Sequence, residues 1–464
     1  MFMRCIALYI LYILVITPCF SQNVWQSQYK SSRKILQGSV EEGQNKLFLT
    51  LPEEGIDSLD MKVVKMGTLR WQAQNETYGY DIVIEQHENG SLQTHWSHYR
   101  EEYDLYMKAV DKVLPITFAQ HPKPPFSYYS DSITFTSEVT GLQYGATLNI
   151  PKNMQEYPLA ILITGTGRQD RNYVYSGHQF FTVLADALAQ EGIASIRVDD
   201  RGVGQTTGDF SQATSGDFSD DVKAVIHYLK ERDDIDHSYL GLIGHSEGGT
   251  IASMVTAQER DVKFMVSLSG VGVSGFEILM LQNRAILESH QMPDSLVTKY
   301  MSLYNDLFEV VYQSESEEDI ESGLRTSLEA WTSKEDEATL KAMQLNEGRA
   351  ESFLYRYGNM AKRPWYRFMI KYEPHDYLPL IKVPVLAVNG SKDIMVPARE
   401  NLKNFSEEVN KKLITTKEYA GLNHMYQHCE ECTAAEIKEL DEVFAPQVLD
   451  DVSKWIIDQY QKRQ

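Results

Sequence analysis

From about residue 128 onward, short blocks of consecutive apolar residues recur between longer stretches of helical period. Leu159 to Ile163 precedes such a stretch at Phe180 to Gln190, Ala194 to Val198 precedes Phe218 to Lys230, and Tyr239 to Ile243 precedes Gly249 to Ala257. Phe264 to Leu268, Val383 to Val388 and Leu413 to Tyr419 continue the series. Five apolar residues in a row suit a strand covered on both faces, and regular alternation with helices predicts a mostly parallel α/β sheet. Tyr128 to Phe135 and Leu142 to Ile150 alternate apolar with polar and predict an opening pair of strands.

Two segments break this rhythm. Gly275 to about Asp376 is long, helical in pattern and polar, with acidic residues far outnumbering basic ones between Asn305 and Glu351. Between two sheet strands it reads as a helical cap, residues 275–376, inserted into a domain of residues 127–464. Residues 22–112 read as a small β-rich module: Leu47, Leu49 and Leu51 share one strand face, and so do Tyr80, Ile82 and Ile84. Asn89-Gly90, before Leu92 to Trp96, predicts a tight hairpin with positive φ at both central residues. Residues 113–126, proline-containing, read as a linker.

The first 21 residues have another character. Arg4, the apolar run Ile6 to Ile16, Pro18 and the small residues Cys19 and Ser21 read as a signal peptide cut after Ser21. That predicts an exported chain, periplasmic or secreted; a lipid anchor at Cys19 is the rival. The run is shorter than the ~20 residues a spanning helix needs, so no stable membrane insertion is expected. Cleavage leaves Cys429 and Cys432, a C-x-x-C pair open to three readings: a disulfide, free thiols or, with nearby histidines, a metal site. The pair is no disulfide framework, so stability rests on a large core. A formal net charge of -21 argues against a nucleic-acid partner, which needs a basic face.

Gly244-His245-Ser246-Glu247-Gly248 is a G-x-S-x-G motif between a buried strand and a helix, the context that makes Ser246 a candidate nucleophile of an α/β-hydrolase fold. The turn is sharp and strained, so its flanking positions must lack a Cβ. A serine at its free pKa needs a base, and in this fold acid and histidine follow in that order. Asp393 comes after the strand at Val383 to Val388, and His424 after the strand at Leu413 to Tyr419. The amide of Glu247 and one from the loop Thr164-Gly165-Thr166-Gly167-Arg168, with Thr166 the chosen donor, are expected to hold an oxyanion. His245 reads as structural, His428 and His375 as weaker base candidates, and Arg171 and Arg201 as loop-fixing ion pairs.

Thr164 to Arg171, Asp199-Asp200-Arg201-Gly202-Val203-Gly204, the Ser246 elbow, Asn389 to Asp393 and Gly421-Leu422-Asn423-His424 together resemble exported bacterial α/β-hydrolases of the EstD-type carboxylesterase group. Arg168 departs from that pattern, where relatives commonly carry proline. The resemblance implies Ser246, Asp393 and His424 as the triad. The expected activity is carboxylic ester hydrolysis through an acyl-enzyme, on a small-molecule substrate and without cofactor or metal. A serine peptidase or amidase on the same fold is the nearest alternative, and a non-catalytic binding protein the second. The cap is expected to select the acyl or alcohol group, with Phe353, Tyr355, Trp365, Tyr366 and Phe368 as candidate pocket aromatics. Oligomeric state is not legible.

Overall fold

The computed structural model describes residues 23–27, 34–39, 46–51, 56–75, 79–98, 101–111 and 118–463. The signal-peptide segment, residues 1–21, and the first part of the expected linker lie outside them. The described residues form two compact units, divided between Ile116 and Thr117.

The first unit is a closed antiparallel barrel of eight strands: β1 (Asn23–Ser27), β2 (Ile35–Ser39), β3 (Lys46–Leu51), β4 (Ile56–Lys65), β5 (Arg70–Asn75), β6 (Tyr80–Gln86), β7 (Leu92–His98) and β8 (Glu101–Val110). Each strand pairs with the next, and β1 closes on β8 through Val24 opposite Val110 and Ser27 opposite Met107. Period-two alternation turns one face of every strand inward, where Trp25, Leu49, Trp71, Ile82, Trp96 and Met107 are among the residues that fill the interior. Closure removes the exposed strand edges an open sheet of this size would carry. The β6–β7 hairpin differs from the expected tight turn. Only Gly90 has positive φ, at 81°. His87 N–H bonds to Ser91 C=O, and the Asn89 side chain accepts from the Ser91 amide. One additional residue in the loop lets a single glycine supply the left-handed position.

The second unit is built on an eight-stranded sheet. Its strands are β9 (Tyr128–Thr136), β10 (Gln143–Pro151), β11 (Leu159–Ile163), β14 (Ala194–Val198), β15 (Leu240–His245), β16 (Val262–Leu268), β17 (Val385–Gly390) and β18 (Ile414–Tyr419). Two two-residue strands, β12 (Val174–Tyr175) and β13 (His178–Gln179), pair separately. The sheet order is β18-β17-β16-β15-β11-β14-β10-β9, parallel from β18 to β14, with β10 and β9 added antiparallel. The apolar blocks become fully buried strands, as in β11 and β15. Helices α1 (Phe180–Gln190), α2 (Ser215–Lys230), α3 (Glu247–Gln258), α10 (Ala398–Glu408), α11 (Ala434–Glu439) and α12 (Pro446–Lys462) complete the α/β-hydrolase fold. The far half of the expected linker belongs to this unit: Phe118 is buried, and the Gln120 amide donates to the Phe444 carbonyl at 2.6 Å. A buried aromatic and a satisfied side-chain amide anchor what composition alone marks as a connector.

Between β16 and β17 the cap folds as α4 (Gly275–Ser289), α5 (Asp294–Gln313), α6 (Glu317–Thr332), α7 (Glu337–Ala342), α8 (Arg349–Ala361) and α9 (Pro364–Ile370). It has a core of its own around Leu307, Phe308, Leu324, Trp331 and Tyr366, while several of its acidic residues cap helix starts and Glu335 pairs with Lys299. Ser316 and Asp319, for example, make a capping box at α6.

Candidate active site

The elbow is locally strained. Ser246 has φ 55° and ψ -122°, between the last residue of β15 and the first of α3. Its amide bonds to the Leu268 carbonyl, and its carbonyl accepts from the Gly249 amide. A Cβ at Gly244 would stand 2.0 Å from the Gly248 carbonyl oxygen, and one at Gly248 would stand 2.2 Å from the Ile163 oxygen. Glycine at both positions is therefore a steric requirement of this turn.

Asp393 and His424 converge on one another from two neighbouring strand ends. Asp393 follows β17; its Oδ1 accepts the amides of Met395 and Val396 at 2.9 and 2.8 Å. Its Oδ2 lies 2.8 Å from His424 Nδ1, with the Asp393 side chain fully buried. His424 sits in the loop after β18, where Asn423 Oδ1 accepts the amides of Met425 and Gln427. The carboxylate thus holds the Nδ1–H tautomer and leaves Nε2 as the acceptor. Ser246 and His424 line one pocket of about 390 Å³ with Thr166 and Glu247, a size suited to a small organic molecule.

His245, fully buried, links this arrangement to the loop after β11. Tyr173 O–H donates to His245 Nδ1 (3.0 Å), and His245 Nε2–H donates to the His424 carbonyl (2.9 Å). The Gly165 backbone bonds in turn to the Tyr173 hydroxyl. Burial holds His245 well below the usual histidine range, and the charge of His424 adds to the effect, so it stays neutral and keeps this tautomer. The sequence marked His245 as structural; Tyr173, the other half of the link, carried no signal in its neighbours.

The loop after β11 is pinned by carboxylates. Asp200 accepts from Thr164 Oγ1 and from the Gln169 amide, both at 2.9 Å. Burial pushes Asp200 up to about 7, against those hydrogen bonds. Arg171 makes a buried fork to Asp199, with Nε 2.9 Å from Oδ1, and donates to the Ala146 carbonyl. Arg201 pairs with Asp221 and Asp217. Arg168 is spent on the Gly202 carbonyl and the face of Phe210. As the first residue of α3, Glu247 presents an amide that no intrahelical carbonyl can satisfy, and Thr166, in the loop after β11, lines the same pocket.

Most of the remaining wall is apolar, with Ile278 and Leu279 from α4, Trp365 and Met369 from α9, Ile394 beside Asp393, and Met425 beside His424, while Gln169 and Gln282 add polar groups. Of the five candidate aromatics only Trp365 lines the pocket. Phe353 and Tyr366 pack in the cap core, Tyr355 is exposed, and Phe368 packs with the Tyr372 cluster. The helical phase of α8 and α9 decides this, since residues one apart on a helix face different ways. His428 and His375 pair with Glu442 and Glu408 at exposed positions. Cys429 and Cys432 form a disulfide, and Cys432 reaches the pocket wall. Among the described residues no helix is long and apolar enough to cross a membrane.

The chain is 25% identical over 163 residues to an uncharacterized 31.7 kDa protein of Escherichia coli, covering 35% of this chain and 51% of that protein. It is 23% identical over 194 residues to the esterase EstD of Thermotoga maritima, covering 41% of this chain and 43% of that one. The chain thus spans about half the length of the curated relatives it matches. Among solved structures, the Est1E protein of Butyrivibrio proteoclasticus bound to ferulic acid shares 19% identity over 71% of this chain and 99% of its own, with a TM-score of 0.42. A Pyrococcus furiosus esterase shares 14% over 72% and 92%, with a TM-score of 0.44. Residues 138–429, more than half of the chain, match the model of one hydrolase family, and the protein belongs to the X-Pro dipeptidyl-peptidase (S15) family.

Proposed function

We propose that the protein is a serine carboxylesterase, with Ser246 as nucleophile, His424 as general base and Asp393 as the group that orients it. The observation that carries this reading is the 2.8 Å contact between Asp393 and His424 at a pocket that also holds the strained Ser246. His424 Nε2 takes the Ser246 proton as Oγ attacks the acyl carbon. The amides of Glu247 and Thr166 hold the oxyanion, and the protonated imidazole gives its proton to the departing alcohol. Water then opens the acyl-enzyme by the reverse proton path. No step calls on a cofactor. The apolar wall favours an uncharged acyl group, and the likeness to EstD-type esterases points the same way.

Membership of a peptidase family supports a second reading, cleavage after an X-Pro dipeptide. An amine leaves only with a well-placed proton, whereas an alcohol needs less help. The test is kcat/KM for a short-chain p-nitrophenyl ester against the matching p-nitroanilide and an Ala-Pro p-nitroanilide. The ester is expected to lead by ~10³, about 4 kcal/mol at the transition state. Comparable values for the Ala-Pro substrate establish the peptidase instead. Ser246→Ala is expected to abolish turnover and fluorophosphonate labelling, a loss on the order of 10⁴ to 10⁶ in kcat. The reading places the enzyme outside the cytoplasm, with a mature N-terminus at Gln22; N-terminal sequencing of the exported protein checks that.

A further inference from the structure

Glu247 is unusual among the residues around Ser246. Its amide is assigned above to the oxyanion, and its side chain is buried at the edge of the same pocket. There Oε1 accepts two hydrogen bonds, from Ser215 Oγ at 2.6 Å and from Trp365 Nε1 at 2.7 Å. The Thr166 hydroxyl is a third partner of the same carboxyl.

The three partners come from three separate segments. Ser215 is the first residue of α2, where a Thr214–Asp217 capping box fixes the helix start. Trp365 belongs to α9 of the cap and forms part of the pocket wall. Thr166 belongs to the loop that supplies the second oxyanion amide. A hydrocarbon side chain of similar length takes away the shared acceptor of the indole N–H and two hydroxyls.

We propose that the Glu247 side chain is a positioning residue that ties the cap to the oxyanion loop, so that the wall contacting the acyl group and the amides holding the oxyanion are set by one carboxyl group. The inference rests on the esterase reading. Its consequence is that acyl-chain recognition and turnover are coupled. A longer acyl chain bears on Trp365, Trp365 bears on Glu247, and Glu247 sets Thr166. Burial raises the Glu247 pKa, with its three donors opposing, which fits a group held by hydrogen bonds rather than by a cation.

The test is a double-mutant cycle on kcat/KM for p-nitrophenyl acetate and octanoate. Trp365→Phe removes the cap donor together with part of the ring that forms the pocket wall, and is expected to raise KM more than it lowers kcat. Thr166→Val removes only the loop hydroxyl and is expected to lower kcat with KM little changed. With Glu247 intact, the two are expected to be non-additive by at least about threefold. Effects that multiply independently overturn the proposal, whether or not any Glu247 variant folds. Glu247→Met is then expected to lower kcat about 10²-fold and to abolish the coupling. Glu247→Gln, whose carbonyl accepts from Ser215 and Trp365 while its NH₂ faces the Thr166 oxygen, is expected to restore activity to within about tenfold of the parent. Equal activity of the Met and Gln variants also overturns it. If the unaltered protein hydrolyses no ester in a Ser246-dependent way, it is the esterase reading that fails instead.

Discussion

The imidazole of His245 donates a hydrogen bond to the backbone carbonyl of His424, 2.9 Å away, so the residue before Ser246, the proposed nucleophile, holds up the loop that carries the proposed base. The other ring nitrogen accepts from Tyr173, whose hydroxyl meets Gly165 in the loop after β11. His245→Phe leaves the His424 carbonyl and the Tyr173 hydroxyl without their partner. The expected result is a kcat lowered about 10- to 100-fold with KM near that of the parent, since misplacement by about 1 Å costs up to about 10² in rate. Stopped assays across substrate concentrations separate the two constants.

Arg171 and Asp199 are both buried and bonded as a fork. Burial raises the Asp199 carboxyl, but the Arg171 bonds and the Gln205 amide outweigh it, and its pKa ends below the usual range. A depressed folded value means the pair stabilises the fold above the unfolded pKa near 4, and that this contribution is lost as pH falls through the folded value. Arg171→Met leaves a buried carboxylate unpaired and is expected to cost about 3–5 kcal/mol at pH 7. Urea titrations at pH 7 and pH 4 are expected to show the deficit shrinking in acid.

Asp200 runs the other way. Its folded value, pushed up to about 7, lies above the unfolded one, so the folded state holds the proton more tightly and stability falls as pH rises from about 4 towards 7. Asp200→Asn keeps one acceptor for the Gln169 amide and offers a donor to Thr164. The Asn variant is expected to gain on the parent progressively over that window, by about 4 kcal/mol at ~1.4 kcal/mol per pH unit, with the gain level above it. A difference that does not change with pH removes the assignment.

Two glycines separate steric from conformational requirements. Gly248→Ala drives a Cβ into the Ile163 carbonyl and is expected to cost about 3 kcal/mol and to remove activity, the upper end of overpacking. Gly421, with φ 78° and no atom within 4 Å of an added Cβ, pays only for the left-handed backbone. Gly421→Ala is expected to cost about 1–2 kcal/mol with activity retained. Thermal melts with parallel ester assays distinguish them.

Much of this protein is readable along the chain because its signals are local. A run such as Leu159 to Ile163 declares a strand covered on both faces without reference to any partner. Gly244 and Gly248 mark a turn that no Cβ allows, and Ser246, Asp393 and His424 each follow a strand in an order the fold supplies. The alternation of Leu47, Leu49 and Leu51 declares a half-buried strand, but not that eight such strands close on one another through Val24 and Val110. Barrel closure depends on twist and register summed over every pairing. The contacts that organise the pocket are equally non-local. Trp365 reaches Glu247 across 118 positions and His245 reaches the His424 carbonyl across 179. No periodicity spans such distances. Which of Trp365, Tyr366 and Phe368 faces the pocket turns on the phase of a seven-residue helix against the rest of the cap, and only the packed structure sets that phase.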